Sequence, residues 1–368
     1  MTHLPIILDP EATKLDMADN KIKSIAPKDF SGLLNLDTLD LSKNNLDDES
    51  FSQNPLSNLT FLKKLNLDNN LLTRVPALPS SLEELKINKN KLSAVTPYCF
   101  RGLNSLLNLE LEENGLHEGS VSPQAFRPLQ KLLELQLDNN RFRSLPVGLP
   151  PSLQELEINE NLIEEVTEQA LRGCIHLRVL DMSHNLLHQQ GIDPHAWRHA
   201  RSLETLDLSH NQFTSVPMNL PRPLRKLDLQ HNNITQIPAF TFRHLRPGLQ
   251  SLHLSHNALS NEGVQRYSFV GSYRSLGELF LDNNSLREVP RCVRQFKNLQ
   301  LLRLNNNLIR RLRQWGVCHP RNPGTTLASV HMENNLLEVD KIPQNVFTCL
   351  TDAKGLVLQP QKGHTNNK

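Results

Sequence analysis

The sequence predicts an α/β-type repeat solenoid: a curved arc with a parallel β-sheet on its concave face and irregular, 3-10 or polyproline segments on its convex face. Three observations on the 368-residue chain lead to this prediction. An eleven-position pattern recurs fourteen times, its copies follow a regular cadence, and leucine and asparagine recur throughout while aromatic residues make up only 5%. Such a recurring unit indicates a solenoid, because one unit cannot bury its own apolar side.

The repeated pattern is L-x-x-L-x-L-x-x-N-x-L, as in "LETLDLSHNQF" from Leu203 to Phe213. Its x-L-x-L-x core alternates with period two, so the leucines of a short strand face an interior and the x residues face solvent. The Asn amide has two donor hydrogens and an acceptor, and we expect it to satisfy backbone groups that the turn would bury unpaired. This pattern identifies a leucine-rich repeat protein, with pattern asparagines at Asn20, Asn44, Asn70, Asn90, Asn114, Asn140, Asn161, Asn185, Asn211, Asn232, Asn257, Asn284, Asn307 and Asn335.

The spacing between successive pattern asparagines is 24, 26, 20, 24, 26, 21, 24, 26, 21, 25, 27, 23 and 28, so a short step recurs after two long ones. The short repeats share a proline-containing text: "VPALPSSLEEL", "LPVGLPPSLQEL" and "VPMNLPRPLRKL". Because proline fixes φ and favours extended or polyproline backbone, we expect short, stiff returns in these repeats. The long repeats instead carry a bulky residue before a Leu, as in "DFSGL" and "CFRGL".

This cadence, with its lengthened last repeat, resembles that of the small leucine-rich proteoglycan family of the extracellular matrix. The short-repeat texts and the tail "NVFTCLTDAKGLVLQPQK" are most similar to the non-proteoglycan branch around extracellular matrix protein 2 and its podocan-type neighbours. The resemblance covers nearly the whole chain. It implies a secreted, non-enzymatic matrix protein that binds matrix proteins, with collagen favoured, through the concave face and supports matrix organisation and cell adhesion.

Members of that family carry a disulfide in the terminal "ear" repeat, and Cys318 and Cys349 stand at the corresponding positions. The resemblance therefore implies a Cys318–Cys349 bridge, worth about 3–4 kcal/mol in the chain-entropy estimate. Two free thiols are the alternative, because spacing alone does not prove a bridge. Cys99, Cys174 and Cys292 lie too many repeats apart to pair, so we expect them to be free, with Cys174 in the core.

The start of the chain, "MTHLPIILDPEATKL", has no basic leader, and Asp9 interrupts its apolar run, so it does not have the form of a signal peptide. The family's N-terminal cap carries four cysteines, and none precedes the first repeat here. We therefore expect a truncated sequence in which residues 1–11 are the remnant of a cap. Residues 12–310 would form the repeats, and residues 311–368 the ear repeat and C-terminal cap.

Composition and motifs exclude several function classes. A formal charge of +2, from 40 basic and 38 acidic residues, argues against a nucleic-acid partner, which needs a concentrated basic surface. No apolar run approaches the about 20 residues that span a bilayer. The sequence has no nucleophile elbow, phosphate-binding glycine loop, H-E-x-x-H or C-x-x-C motif, so we expect neither an enzyme, nor a cofactor, nor a metal site. Binding is the default function of such an open surface.

A first column of outward strand positions is acidic. The functional interpretation is a strip that binds a basic partner, such as the Arg- and Lys-bearing surface of a collagen triple helix. The alternative is a solvated face, because the L-D-L-S spelling is generic in this type of repeat. The collagen-contacting sequence of the decorin-like branch has no counterpart here, so collagen rests on the family resemblance. The acidic candidates are Glu110, Glu112, Glu134, Asp138, Glu155, Glu157, Asp181, Asp207 and Asp228.

A second column contains His184, His210, His231 and His256, which occupy one site in four successive repeats. Neighbouring imidazoles about 5 Å apart could hold a metal or titrate near neutral pH. The alternative is a structural role at the edge of the turn, since a straight column lacks the converging geometry of a metal site. Further along, the middle strand position becomes His253, Phe280 and Arg303, so we expect the concave face to grade from acidic to neutral or basic.

Three N-x-S/T sites occur, at Asn58, Asn233 and Asn283, and each is a candidate N-glycosylation site in a secreted chain. The only Ser-Gly pair, Ser31-Gly32, has no acidic run beside it, so we expect no glycosaminoglycan chain on this protein. Two functions remain. The first is a secreted matrix protein that binds collagen or growth factors. The alternative is an intracellular leucine-rich repeat scaffold or a soluble receptor-type ligand-binding module. A reduced Cys318/Cys349 pair would favour the intracellular version.

Overall fold

The computed structural model describes residues 1–6, 9–321 and 326–363. It confirms the predicted fold class, because each repeat contributes one short strand to parallel pairing and the strands follow one another in chain order. The chain divides into two compact units. Unit 1 comprises Met1–Met182 and Arg198–Ser202, and unit 2 comprises Ser183–Trp197 and Leu203–Lys368.

The described residues of unit 1 form eight strands, each three residues long. Consecutive strands pair in parallel and in register, so that Leu15 lies opposite Leu39 and Leu135 opposite Leu156. The strands are β1 (Lys14–Asp16), β2 (Thr38–Asp40), β3 (Lys64–Asn66), β4 (Glu84–Lys86), β5 (Asn108–Glu110), β6 (Glu134–Gln136), β7 (Glu155–Glu157) and β8 (Val179–Asp181).

The part of unit 2 that the structure describes forms seven strands with the same parallel, in-register pairing, in which Leu227 lies opposite Leu252 and Leu279 opposite Leu302. The strands are β9 (Thr205–Asp207), β10 (Lys226–Asp228), β11 (Ser251–His253), β12 (Glu278–Phe280), β13 (Leu301–Arg303), β14 (Ser329–His331) and β15 (Leu356–Val357).

The core of each unit is a stack of apolar side chains that continues from repeat to repeat. The central leucines of β2 to β13 are almost fully buried. Phenylalanines of the long repeats are also buried and pair with one another, as Phe100 and Phe126 do in unit 1 and Phe242 and Phe269 in unit 2. Cys174 is 0% exposed, which confirms the predicted core thiol, and burial raises the pKa of its thiol to about 11.

The returns between strands contain only short 3-10 helices, and no helix in the described part of the chain is long and apolar enough to cross a membrane. The four repeats whose asparagines are 26 or 27 residues apart each contain one such helix, which takes up the extra residues in a tight turn. The described 3-10 helices are Pro27–Phe30, Glu49–Phe51, Glu118–Ser120, Gln189–Gly191, Asn261–Gly263, Val293–Gln295, Val339–Lys341 and Ala353–Gly355.

The pattern asparagines form the hydrogen-bonded ladder that their amide chemistry predicts. Asn161 shows the arrangement: its Nδ2 donates to the carbonyl of Leu137 in the preceding turn at 3.1 Å and to Asn159 in its own turn at 3.0 Å. Its Oδ1 accepts from the backbone N–H of Phe142 at 3.1 Å. Such an amide therefore joins two turns and pairs backbone groups that the turn would otherwise bury without a partner.

The ladder continues one turn beyond the fourteen asparagines. Gln361 takes the ladder position after β15, where its Nε2 donates to the Met332 carbonyl at 2.9 Å and its Oε1 accepts from the Leu337 N–H at 3.1 Å. The sequence template required Asn and missed this fifteenth turn. Glutamine presents the same amide on a longer side chain, so it can replace Asn where the backbone lies farther from the groups that the amide binds.

The ear repeat is closed by the disulfide that the family resemblance implies. Cys318 and Cys349 are bonded, with their Cα atoms 5.5 Å apart in space and the two residues 31 positions apart in sequence. Cys99, Cys174 and Cys292 are free thiols, as expected. The proposed boundaries of the cap remnant, repeats and ear remain a prediction.

Candidate functional site

The outward surface of the sheet has a fixed set of contributing positions. In each three-residue strand the first and third residues point away from the central apolar residue, and the residue two places after the strand joins them. We call the surface made by these three positions the strand face. Its composition in each unit decides what that unit can bind there.

In unit 1, three carboxylates converge on the strand face. Glu112 follows β5, Asp138 follows β6 and Glu157 ends β7, and one carboxylate oxygen of each lies within 4.8 Å of the others. Asp138 is the middle member and only 6% exposed. Its Oδ1 accepts the backbone N–H of Asn159 at 2.9 Å, which holds the carboxyl in place. These three residues are the acidic cluster.

The acidic cluster is electrostatically unfavourable when fully ionised. Burial, together with the charges of Glu157 and Glu112, raises the pKa of Asp138 to about 8. The pKa values of Glu112 and Glu157 are also raised, first by burial and then by neighbouring carboxylates. Near pH 7 the cluster therefore holds a proton that a cation could replace.

Other predicted acidic residues flank the acidic cluster. Glu110 accepts a hydrogen bond of 3.0 Å from Asn88 Nδ2 and forms an ion pair with Lys86 at 3.6 Å. Glu134 and Glu155 lie opposite one another on β6 and β7. Burial and the Glu155 charge raise the pKa of Glu134. The predicted acidic strip of unit 1 is thus brought together in one place.

Sequence reasoning missed Asp68, which lies two places after β3. Burial raises its pKa, and the charge of Glu110 adds to the effect. Its Oδ1 accepts the backbone N–H of Asn88 at 2.7 Å, the same contact that Asn159 makes to Asp138. The signal was present in the sequence, because Asp68 occupies the motif position of Glu112 and Asp138.

The geometry of the acidic cluster suits a positive charge. Within the described ranges it is the one group of at least three acidic, His or Cys side chains whose ligand atoms converge enough for a single metal ion. Carboxylate oxygens at this spacing accept a hard divalent cation or the ammonium or guanidinium group of a partner protein. The second possibility needs no resident ion and fits an open surface.

The column of strand-ending aspartates has a local structural role. Asp207 accepts the backbone N–H of Ser209 at 2.9 Å, and Asp228 accepts that of Gln230 at 3.0 Å. Each carboxylate thereby closes the turn that follows its strand. Asp181, in unit 1, accepts the side-chain amide of Asn159 at 3.0 Å. These contacts favour the generic interpretation of the aspartates. In the acidic cluster Asp138 also accepts a backbone N–H, that of Asn159, but this bond does not account for the convergence of three carboxylates.

In unit 2, the strand face carries an ordered stack. The ring of His253 lies flat on Phe280, with centroids 4.1 Å apart and planes 2° apart, and Arg303 places its Cζ 4.5 Å from the Phe280 centroid. Glu278 lies 3.3 Å from His253 Nε2. Burial would raise the pKa of Glu278, but hydrogen bonds from Ser251 and His253 outweigh it and the pKa is lowered. The predicted His, Phe and Arg column therefore exists as one connected surface.

The histidine column of unit 2 forms a continuous stack of rings. Ring centroids of His184, His210, His231 and His256 are 4.0, 4.3 and 4.2 Å apart in succession. All four residues have φ between 52° and 55°, in the left-handed region, because each immediately precedes its ladder asparagine. Parallel rings do not converge on a common point, which favours the structural interpretation over a metal site.

The three candidate glycosylation sites differ in their surroundings. Asn58 and Asn233 are exposed. Asn283 is half-buried, and its Nδ2 donates to Asp282 at 3.0 Å, so the nitrogen that would carry the sugar is already engaged. Asn58 and Asn233 are thus the better candidates, and modification of all three remains a prediction.

Comparison with known proteins places the chain in a family. The model of the "Leucine rich repeat" family matches residues 10–72, 80–142, 151–213 and 222–271. Lumican of Gallus gallus is 31% identical over 304 residues, which are 82% of this chain and 86% of lumican. The chain belongs to the small leucine-rich proteoglycan family of leucine-rich repeat proteins. The family predicted from the cadence is confirmed, and the closer placement beside extracellular matrix protein 2 remains a prediction.

Two further relatives of the small leucine-rich proteoglycan family are longer than this chain. Podocan of Mus musculus is 29% identical over 80% of the chain, and podocan-like protein 1 of Mus musculus is 30% identical over 94%. The chain spans 48% of podocan and 61% of podocan-like protein 1. Activities of these whole proteins are therefore carried over only as proposals.

Solved structures support the fold. A leucine-rich repeat protein of Leptospira interrogans superposes with a TM-score of 0.64 at 25% identity, covering 89% of this chain and 86% of its own. A chain in the octameric complex of Latrophilin 3, Unc5D and FLRT2 superposes with a TM-score of 0.65 at 24% identity, covering 86% and 91%. Both likenesses concern the leucine-rich repeat fold alone.

Proposed function

We propose that the protein is a non-enzymatic component of the extracellular matrix that binds other matrix proteins through the strand face of unit 1. Triple-helical collagen is the favoured partner, and growth factors are the second class. The observation that carries the proposal is the acidic cluster. None of the described basic residues forms an ion pair with Glu112, Asp138 or Glu157, so a partner's Lys or Arg would supply the missing countercharge.

The raised pKa of Asp138 makes such binding depend on pH. Below about pH 8 the free protein keeps a proton on this carboxyl. A bound guanidinium or ammonium group favours the ionised form, so binding expels the proton. Affinity for a basic partner should therefore increase as the pH rises from about 5 to 8, although the partner's own charge stays constant over that range.

An extracellular location is supported by two features. The Cys318–Cys349 disulfide is of a kind that forms and persists in oxidising compartments, which disfavours the intracellular scaffold. Matrix proteoglycans such as lumican are relatives that this chain covers over most of their length. Support of matrix organisation and cell adhesion would follow from binding matrix proteins along the strand face.

The test is surface plasmon resonance on immobilised triple-helical type I collagen. The variant Glu134→Gln/Glu155→Gln removes two charges beside the acidic cluster without touching the core. The control Glu164→Gln/Glu165→Gln removes two exposed charges that lie beyond the ladder asparagine Asn161, outside the strand face. We expect the first variant to bind collagen at least about fivefold more weakly than the parent, because the lost charges lie at the rim of the binding surface. The control should bind within about twofold of the parent.

Heat-denatured collagen serves as the ligand control, because it keeps the composition but loses the triple helix. Equal binding to both forms would show that the triple helix is not recognised. Equal weakening by the two charge variants would show that the strand face of unit 1 is not the binding surface. Either result would overturn the proposed function.

A further inference from the structure

Unit 2 concentrates positive charge on the returns between its last strands. Between Arg287 and Arg321 the chain has nine Lys or Arg residues and one acidic residue, Glu288. The formal charge of +2 for the whole chain conceals this segregation. Six of these nine residues line open clefts together with Arg266 and Arg274 of the return before β12. These eight residues form the basic surface: Arg266, Arg274, Arg291, Arg294, Lys297, Arg311, Arg313 and Arg321.

Three open clefts join to make the basic surface continuous. One, of 330 Å³, is lined by Arg291, Arg311 and Arg313 beside Trp315. A second, of 570 Å³, is lined by Arg274, Lys297 and Arg321 beside Tyr273, and a third, of 520 Å³, adds Arg266. Arg294 lines all three clefts. A linear ligand could therefore pass from one cleft to the next without leaving the positive surface.

Most of these charges are available to a ligand. All eight residues of the basic surface are exposed. Arg313 pairs with Glu288 at 2.8 Å, and no other ion pair involves the basic surface among the residues the structure describes. The backbone of this segment is anchored in the core by the buried side chains of Cys292, Val293 and Phe296. The guanidinium groups thus project from a fixed backbone.

We propose that this basic surface binds a linear sulfated glycosaminoglycan. Arginine presents a planar fork that matches the oxygens of a sulfate group bidentately, and several such forks in a row fit a chain of repeated anionic groups. Trp315 and Tyr273 offer flat apolar surfaces on which sugar rings can lie. The binding does not depend on the acidic cluster, which lies in unit 1 and has the opposite charge.

The position of the disulfide favours a polysaccharide over a nucleic acid. Arg294 lines a small cleft together with Cys318 and Cys349, so the basic surface adjoins the bridge. A surface beside a disulfide is used in an oxidising compartment, where sulfated polysaccharides are the abundant linear polyanions and nucleic acids are scarce.

The experiment uses a heparin dodecasaccharide as probe and measures its Kd by calorimetry at several salt concentrations. The variant Arg291→Gln/Arg294→Gln/Arg311→Gln removes three charges from the basic surface. The control Arg101→Gln/Arg127→Gln/Arg172→Gln removes three exposed arginines from unit 1 and leaves the same net charge. Near physiological salt we expect the first variant to bind at least about tenfold more weakly than the parent. The slope of log K against log salt should be smaller in magnitude by about 2 to 3. The control should bind within about twofold of the parent.

Two further measurements keep the outcome decisive. The triple Arg→Lys variant at the same positions keeps the charge but loses the fork, so we expect it to bind with an intermediate Kd. Equal weakening by the two Gln variants would mean that only net charge matters and would overturn the proposal. Equally tight binding of duplex DNA of matched charge would overturn the assignment to a sulfated polysaccharide. Unchanged collagen binding by these variants separates this result from the test of the strand face.

Discussion

The backbone N–H of Asn159 donates a hydrogen bond of 2.9 Å to Oδ1 of Asp138, and this bond fixes a buried carboxyl between two others. The contact spans neighbouring repeats, so it is part of what joins them. It also keeps Asp138 where Glu112 and Glu157 raise its pKa to about 8. Stability and binding therefore oppose each other at this residue, because the arrangement that attracts a cation destabilises the free protein.

Asp138→Asn should stabilise the protein at neutral and alkaline pH. An Asp in the unfolded chain has a pKa of about 3.9, so the folded state with its raised value binds more protons between about pH 4 and 8. The unfolding free energy of the parent therefore falls as the pH rises through that window. Asn keeps an Oδ1 acceptor for the Asn159 N–H and has no charge, so we expect a gain of about 1–3 kcal/mol at pH 8.5 and little at pH 4.

Urea denaturation followed by circular dichroism at both pH values measures this gain. Glu165→Gln is the matched control, because it removes one exposed carboxylate outside the acidic cluster. A variant that is destabilised at pH 8.5, or that retains the pH dependence of the parent, would show that the Asp138 carboxyl is not held at the expense of stability.

The histidine stack should destabilise the folded state in acid. Burial, and then the neighbouring rings, lower the pKa of His210, and the same causes act on His231, while the charges of Asp228 and Asp282 oppose them only in part. The unfolded chain, with a histidine pKa of about 6.5, therefore binds more protons than the folded chain as the pH falls below that value. The unfolding free energy consequently decreases between about pH 7 and 5.

His210→Asn/His231→Asn should reduce this loss of stability in acid. Asparagine is the suitable replacement, because both positions have a positive φ that Asn tolerates. Thermal unfolding at pH 5 and pH 7.5 would show the difference in Tm between the two pH values shrinking in the variant. His188→Asn, outside the stack, should leave that difference unchanged. A double variant with the full acid sensitivity of the parent would rule out the stack as its source.

The repeat fold could be read from the sequence because each of its determinants is local. Period-two leucines specify the strand, and one asparagine specifies the turn, so a template of eleven positions locates fourteen of the fifteen turns. The missed turn is the one in which Gln361 supplies the ladder amide. A chemical criterion, a side-chain amide at the ladder position, would have found it where a letter criterion did not.

The electrostatic sites were less predictable, because they depend on residues of different repeats. Glu112, Asp138 and Glu157 were recognised as acidic, but the burial of Asp138 and its raised pKa follow only from the packing of three turns. The basic surface escaped notice because net charge averages over the chain. Its signal was the pair of texts "RCVRQFK" and "RRLRQW", whose arginines come together only when consecutive repeats stack.

Gln361→Ala should destabilise the C-terminal end of unit 2. The change leaves the buried Leu337 N–H without its side-chain acceptor, and it leaves the Met332 carbonyl with the Asn335 amide as its remaining side-chain donor. Loss of buried hydrogen bonds of this kind costs about 1–3 kcal/mol. Hydrogen exchange read by mass spectrometry should show faster exchange in β14 and β15 than in the parent. Gln359→Ala, at an exposed position two residues earlier, should exchange like the parent. Equal protection in both variants would mean that Gln361 does not close the ladder.

The disulfide of the ear repeat should be needed for the stability of that repeat and should form during secretion. Intact-mass analysis of the protein secreted from mammalian cells with an added leader should show a gain of about 2 Da on reduction, as two thiols replace one bridge. That gain should be absent from Cys318→Ser, and unfolding of this variant should require about 3–4 kcal/mol less free energy for the loop that the bridge closes.

Cys99→Ser, at a free thiol, should retain the gain in mass. Glycosidase treatment of the same sample should remove mass at Asn58 and Asn233. A parent protein that is secreted with Cys318 and Cys349 both alkylated before reduction would remove the main structural support for the extracellular assignment.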